Sequence, residues 1–105
     1  MSHRKPFDPE FLVALLHAQH PDKPELAAAM RECRTSIHET PGYMTFVNPA
    51  RPNLPGSEWQ FGGNVQLTDP MRGWIVLDVL KDGRIGGIEF VDEIPIETDE
   101  RKLPG

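Results

Sequence analysis

The sequence predicts an α+β fold, an N-terminal helical hairpin packed on one face of a three- to four-stranded antiparallel meander. Apolar residues recur every three or four positions up to about residue 40 and every second position afterwards, a change of period that separates helices from strands. Asp82-Gly83 between two apolar runs marks a tight hairpin near the end of that meander. The length of 105 residues, 38% of them apolar, suits one modest core, so residues 1–105 are expected to form a single domain.

The first helix is expected over residues 9–19. Asp8 can accept backbone N–H groups, Pro9 suits the first helical position, and Phe7 with Leu12 forms a hydrophobic staple. Leu12, Leu15, Leu16 and Gln19 share one side with Phe11 beside them, and His20-Pro21 ends the run. Asp22 followed three residues later by Glu25 resembles a capping box, which predicts a second helix over 23–39. Leu26, Met30, Cys33 and Ile37 would form its apolar seam, and Thr40-Pro41-Gly42 would stop it.

Strands are predicted over 43–47, 58–68, 73–80 and 85–92. The proline-rich stretch from Asn48 to Gly56 cannot pair inside a sheet and reads as a connector, although it could also dock as an extended proline-rich ligand. Gly62-Gly63 is the place for a bulge. A two-residue turn at Asp82-Gly83 fixes the last hairpin's register by counting outward: Ile75 opposes Phe90, Leu77 opposes Ile88 and Val79 opposes Gly86. The other face pairs Trp74 with Val91, Val76 with Glu89, Asp78 with Gly87 and Leu80 with Ile85. One face is therefore wholly apolar and should receive the helices. The other carries two carboxylates in its middle. Residues 97–105 read as a flexible acidic tail.

Eleven Lys plus Arg against sixteen Asp plus Glu give a net charge of −5, which opposes general nucleic-acid binding. The imbalance is uneven. Residues 1–42 hold five basic and six acidic side chains, and residues 43–105 hold six and ten, with six acids and no base between Glu89 and Glu100. One cysteine, Cys33, rules out an intrachain disulfide and fits a reducing, cytoplasmic setting. No apolar run is long enough for a membrane span, no secretory leader is expected, and no cofactor motif is present. Gly83, Gly86 and Gly87 lack the spacing of a phosphate loop.

Candidate sites each have a plainer alternative. Asp78 and Glu89 lie diagonally across the hairpin at roughly 7–8 Å, a separation at which two carboxylates can act as acid and base. They also suit a solvated sheet face or an interface that selects a cationic partner. His17 and His20 have a helical metal-ligand spacing, and His38-Glu39 could add a ligand, but the spacing is common by chance, surface histidines are the favoured reading and no metal is expected. His3, His17, His20 and His38 with Lys23 could suggest ribonuclease-type acid–base chemistry, against which the acidic field works. Cys33, on a helical seam, reads as a buried thiol.

The stretch Ile75-Val76-Leu77-Asp78, then Asp82-Gly83-Arg84-Ile85-Gly86-Gly87-Ile88-Glu89-Phe90, resembles the C-terminal hairpin of a family of short uncharacterised bacterial proteins, over about a sixth of the chain. The wider profile, small, acidic and cysteine-poor, is similar to bacterial immunity proteins, including those of contact-dependent growth inhibition systems. That resemblance implies an antitoxin occluding the basic active site of a nuclease-like toxin. Asp78, Glu89, Asp92, Glu93 and Glu97 would be its charged contacts and Trp74 or Trp59 its aromatic anchor. A small enzyme with an acid–base site between helices and sheet, and an oligomer pairing Trp74 and Val91 across a homodimer face, are the other expectations.

Overall fold

The computed structural model describes residues 4–91. They form an α+β unit of two helices and one open six-stranded antiparallel sheet: β1 (Lys5–Pro6), α1 (Glu10–Gln19), α2 (Pro24–Arg31), β2 (Thr35–Thr40), β3 (Tyr43–Thr45), β4 (Phe61–Asp69), β5 (Gly73–Leu80) and β6 (Ile85–Phe90). The strand order is β1-β2-β3-β6-β5-β4. The predicted acidic tail and Asp92, Glu93, Glu97 and His3 lie outside the described residues.

Helix α1 begins at Glu10, one residue later than predicted, with Pro9 at the cap position instead of the first helical one. The Asp8 carboxylate accepts the Glu10 N–H at 3.0 Å, and the Pro9 carbonyl accepts from Leu12 and Val13, closing the first turn. Phe7 packs on Phe46 and Phe11, with ring centroids 4.9 and 6.5 Å apart. Leu12, Val13 and Leu16 are buried with Leu26, Ala27 and Met30 of α2 and with Leu67, Ile75, Leu77, Ile85, Ile88 and Phe90 of the sheet. The helices thus cover one sheet face, as the alternation predicts. Each fully buried leucine or isoleucine contributes about 1.5–3 kcal/mol.

The second helix is shorter than predicted. Asp22 does not cap it; Lys23 occupies that position and Pro24 starts the helix. It ends at Arg31, where Glu32 and Cys33 donate to the Ala29 and Met30 carbonyls, a tightened last turn. Thr35 to Thr40 then run as strand β2 between β1 and β3. The four-residue spacing of Cys33 and Ile37 mimics a helical seam, yet Thr35, Ile37 and Thr40 are β-branched and pay for helix with rotamer freedom. A hairpin with β3, turned at Gly42 with φ 82°, gives those residues backbone partners instead.

The meander is also corrected. Strand β3 does not pair with β4; it pairs with β6, matching Tyr43 with Glu89, Met44 with Ile88 and Thr45 with Gly87. The connector of residues 46–60 is long enough to carry the chain past β6 and β5 to the far edge. Strand β4 starts at Phe61 instead of residue 58 and bulges between Phe61 and Gly63, as Gly62-Gly63 suggested. At the β4–β5 turn, Asp69 accepts the Met71 N–H and the Arg72 guanidinium at 2.9 and 2.7 Å. These hold its carboxyl below the ordinary range, the Met71 N–H contributing most.

In the last hairpin, Ile75, Val76, Leu77 and Asp78 pair with Phe90, Glu89, Ile88 and Gly87 as counted from the sequence, but Val79 pairs with Ile85. Two single-residue offsets cancel. The Leu80 carbonyl accepts from Gly83 and the Leu80 N–H donates to the Arg84 carbonyl, which makes the loop Lys81-Asp82-Gly83, with Gly83 at φ 94°. Gly86 is then the extra residue of a bulge that restores register. Consequently Ile85 joins the helix-side core and does not face Leu80. Gly86 and Gly87 both turn toward the opposite face. There a Cβ on Gly86 would sit 2.8 Å from both Leu80 and Trp59.

Candidate functional site

The sheet face away from the helices holds the polar groups that could meet a partner. Tyr43 on β3 reaches across β6 and donates its hydroxyl to Asp78 Oδ2 on β5 at 3.1 Å. Gly87 makes this crossing possible, because a Cβ there would stand 3.2 Å from the Tyr43 hydroxyl and 3.0 Å from the Met44 carbonyl. Asn64 on β4 donates to Asp78 Oδ1 at 2.8 Å. Both oxygens of Asp78 are therefore held, and the row Tyr43–Asp78–Asn64 spans four neighbouring strands. On the other side of Tyr43, Thr45 donates to Glu39 at 2.9 Å.

Asp78 and Glu89 are diagonal neighbours, as the register required. Burial raises the Asp78 pKa; Tyr43 and Asn64 hydrogen bonds oppose that rise while the Glu89 charge adds to it. Tyr43 is raised as well, by burial first and then by Asp78, Glu39 and Glu89. Asp78 and Glu89 are half-buried, and Glu39 is exposed. Among the described residues none of Glu39, Asp78 and Glu89 pairs with a lysine or arginine; the ion pairs join Arg31 to Glu10, Arg72 to Asp69 and Arg84 to Asp82.

A stability consequence follows. An aspartate with a raised pKa in the folded state loses stability as pH climbs from its ordinary value of 3.8 through the raised value, because the folded state binds the proton more tightly. Asp78→Asn keeps an acceptor for Tyr43 and an amide for a reoriented Asn64. Its urea midpoint, relative to the parent protein, is expected to rise between pH 4 and pH 7. A relative midpoint that falls over that interval would contradict the assignment.

The patch ends in two recesses. Trp74, 52% exposed, lines one of about 290 Å³ with Gln66, Val76 and Val91. At the hairpin end, Arg4, Ile37, Glu39, Asn48, Pro49 and Glu58 border a groove of about 580 Å³. The connector forms its outer wall and is fixed by its own bonds, Asn53 N–H to the Trp59 carbonyl, Phe61 N–H to the Asn53 side chain and Ser57 hydroxyl to the Ala50 carbonyl. It is a built connector.

The structure separates the predicted contacts. Trp74, Asp78 and Glu89 share the outer face. Trp59 does not belong among the exposed anchors: it is 7% exposed, buried against Val47 and Leu80. Neither carboxylate lies between helices and sheet, where the acid–base alternative placed its site; that space is filled by the apolar core. Sequence reasoning missed Tyr43 and Asn64 and weighed Glu39 only as a metal ligand beside His38. The alternation of Tyr43 with Met44 was visible, but without the β3–β6 pairing nothing linked Tyr43 to Asp78.

His17 and His38 are exposed, and His20 Nε2 lies 3.0 Å from the Gln66 carbonyl. No group of three His, Cys, Asp or Glu side chains among the described residues could hold a metal ion. Cys33 is buried, and burial with the nearby Glu32 charge pushes its thiol up to about 12, the opposite of an activated nucleophile. No helix among the described residues is long and apolar enough to cross a membrane. Comparison with protein-family models, curated proteins and solved structures finds no match to the chain.

Proposed function

We propose that the protein is a binding module whose outer sheet face receives a basic protein surface, and that its partner is a toxin domain it neutralises by occlusion. The observation that carries this reading is the unpaired acidity of the outer face: half-buried Asp78 and Glu89 and exposed Glu39 form no ion pair among the described residues, and Trp74 stands exposed on the same face. Carboxylates without counter-charge, one of them the partly buried Asp78, favour a complementary cationic surface, which speeds encounter and disfavours wrong partners. An exposed tryptophan at the patch edge offers a large anchor. A nuclease-like toxin fits because a groove that handles a polyanion must be basic. The excess acid in the strand-rich part of the chain adds to the attraction.

The test measures association of the purified chain with basic toxin domains by stopped-flow fluorescence at several salt concentrations. The rate constant is expected to fall steeply with salt, and Glu89→Lys should lower it about tenfold or more. Trp74→Ala should act mainly on dissociation. Binding that ignores both the Glu89 reversal and the Trp74 truncation would remove the outer face from the reading.

A further inference from the structure

The sheet's free edge offers a second docking surface. In β4, Thr68, Gln66 and Asn64 stand opposite Trp74, Val76 and Asp78. The Thr68 N–H and carbonyl point away from β5, because both are bonded to the Gln19 side-chain amide at 3.0 and 2.7 Å. Gln19 thus imitates a neighbouring strand. His20 lies on the next outward carbonyl, that of Gln66. By strand alternation the Gln66 N–H and both backbone groups of Asn64 face the same side, where the described residues supply no further strand or side-chain cover.

Natural edge strands are commonly guarded by lysine, proline or a covering element. Within Phe61–Asp69 there is no Lys and no Pro, and the α1 cover stops at Gln66. Beside the uncovered part lies a recess of about 540 Å³, with Leu26, Val65 and Val79 as apolar lining and Lys23 and Lys81 as basic lining. Both lysines are exposed and take part in no ion pair among the described residues. Glu25 is the acidic lining residue. Space is open where a Cβ on Gly63 would be, so a second backbone can come close.

We propose that this half of β4 binds an extended segment of a partner protein in which an apolar residue and a carboxylate stand two positions apart, on one face of the strand. Its backbone pairs with Asn64 and Gln66, an apolar side chain enters the Leu26–Val65–Val79 recess, and a carboxylate meets Lys23 or Lys81. This is strand addition, in which main-chain bonds give affinity and alternate side chains give selectivity. A second copy presenting its own β4 is the poorer occupant. Between Phe61 and Thr68 that strand has no carboxylate for the lysines, and Asp69 is engaged by Arg72. The site is independent of the acidic outer face, with the opposite charge preference.

The experiment titrates the ¹⁵N-labelled full chain with an eight-residue peptide in which valine and glutamate take turns at every second position with threonine between them, and in parallel with its valine–lysine counterpart. The glutamate peptide is expected to slow amide exchange at Asn64 and Gln66. Lys23→Glu combined with Lys81→Glu should weaken binding about tenfold or more, and the lysine peptide should bind at least tenfold more weakly to the parent chain. The proposal is overturned by no protection at Asn64 with millimolar glutamate peptide, by equal binding of both peptides, or by Asn64 protection in the chain alone together with a doubled solution mass. Glu89→Lys leaves the Asn64 response intact if the edge is a separate site, and its loss in that variant also overturns the proposal.

Discussion

Truncation of Trp59 to alanine is expected to lower the unfolding free energy by about 3–5 kcal/mol, the range for emptying a buried aromatic site. The ring lies among Val47, Leu80 and the backbone of Gly86. This small second core holds the connector against the sheet. Gly86→Ala should cost about 1–3 kcal/mol, because the new methyl must displace ring or leucine atoms that stand 2.8 Å away. With Trp59 already truncated, that methyl gains room, and the double variant should be more stable than the two losses added together predict. Urea denaturation of the four proteins checks this. Strictly additive losses would mean that the ring does not occupy the space above Gly86.

Ile88→Ala is expected to destabilise the protein by about 2–5 kcal/mol through a different route. Ile88 is fully buried and stands between Met44 of β3 and Leu77 of β5 in register, against the helix-facing core. Its truncation weakens the join between the two parts of the sheet, so amide exchange should accelerate together across β3, β5 and β6. Trp59→Ala should loosen residues 48–60 first and the central strands less. Exchange profiles that cannot be told apart would show that the connector and sheet open as one unit.

Local chemistry was legible wherever it determined the structure alone. Strand β5 spans the predicted residues 73–80 because an apolar run between Asp69-Pro70 and Asp82-Gly83 has few alternatives. The Gly62-Gly63 irregularity and the apolar helix-facing stripe were equally readable. The central register of β5 and β6 followed from turn chemistry, although the loop has one more residue than a two-residue turn and Gly86 compensates for it. Nothing local shows such a compensation: Gly86 bulges because Trp59 and Leu80 fill its outer side, and both come from elsewhere in the sequence.

Strand β2 illustrates the opposite case. Its residues fit a helical seam by spacing and a strand by branching, and the choice was made by pairing with β3. The candidate site was half legible for the same reason. Asp78 and Glu89 sit in a local hairpin and could be placed by counting, whereas Tyr43 is 35 residues from Asp78 and reaches it over Gly87. A glycine pair in a buried strand signals that something large passes over the backbone, but not which side chain it is.

The strand order places β6, the last of the described elements, between β3 and β5. Everything made earlier falls into two sheet fragments, β1-β2-β3 and β4-β5, which share no strand pairing until β6 arrives. A chain emerging from the ribosome can form its helices and local hairpins early, but the fragments stay unjoined until Ile85 to Phe90 have been synthesised. The Tyr43–Asp78 bond bridges the same gap, so the patch proposed to meet a partner is assembled only once β6 has been made. Binding competence is thereby tied to the synthesis of β6, and translation arrested before residue 85 yields a product without the complete outer face.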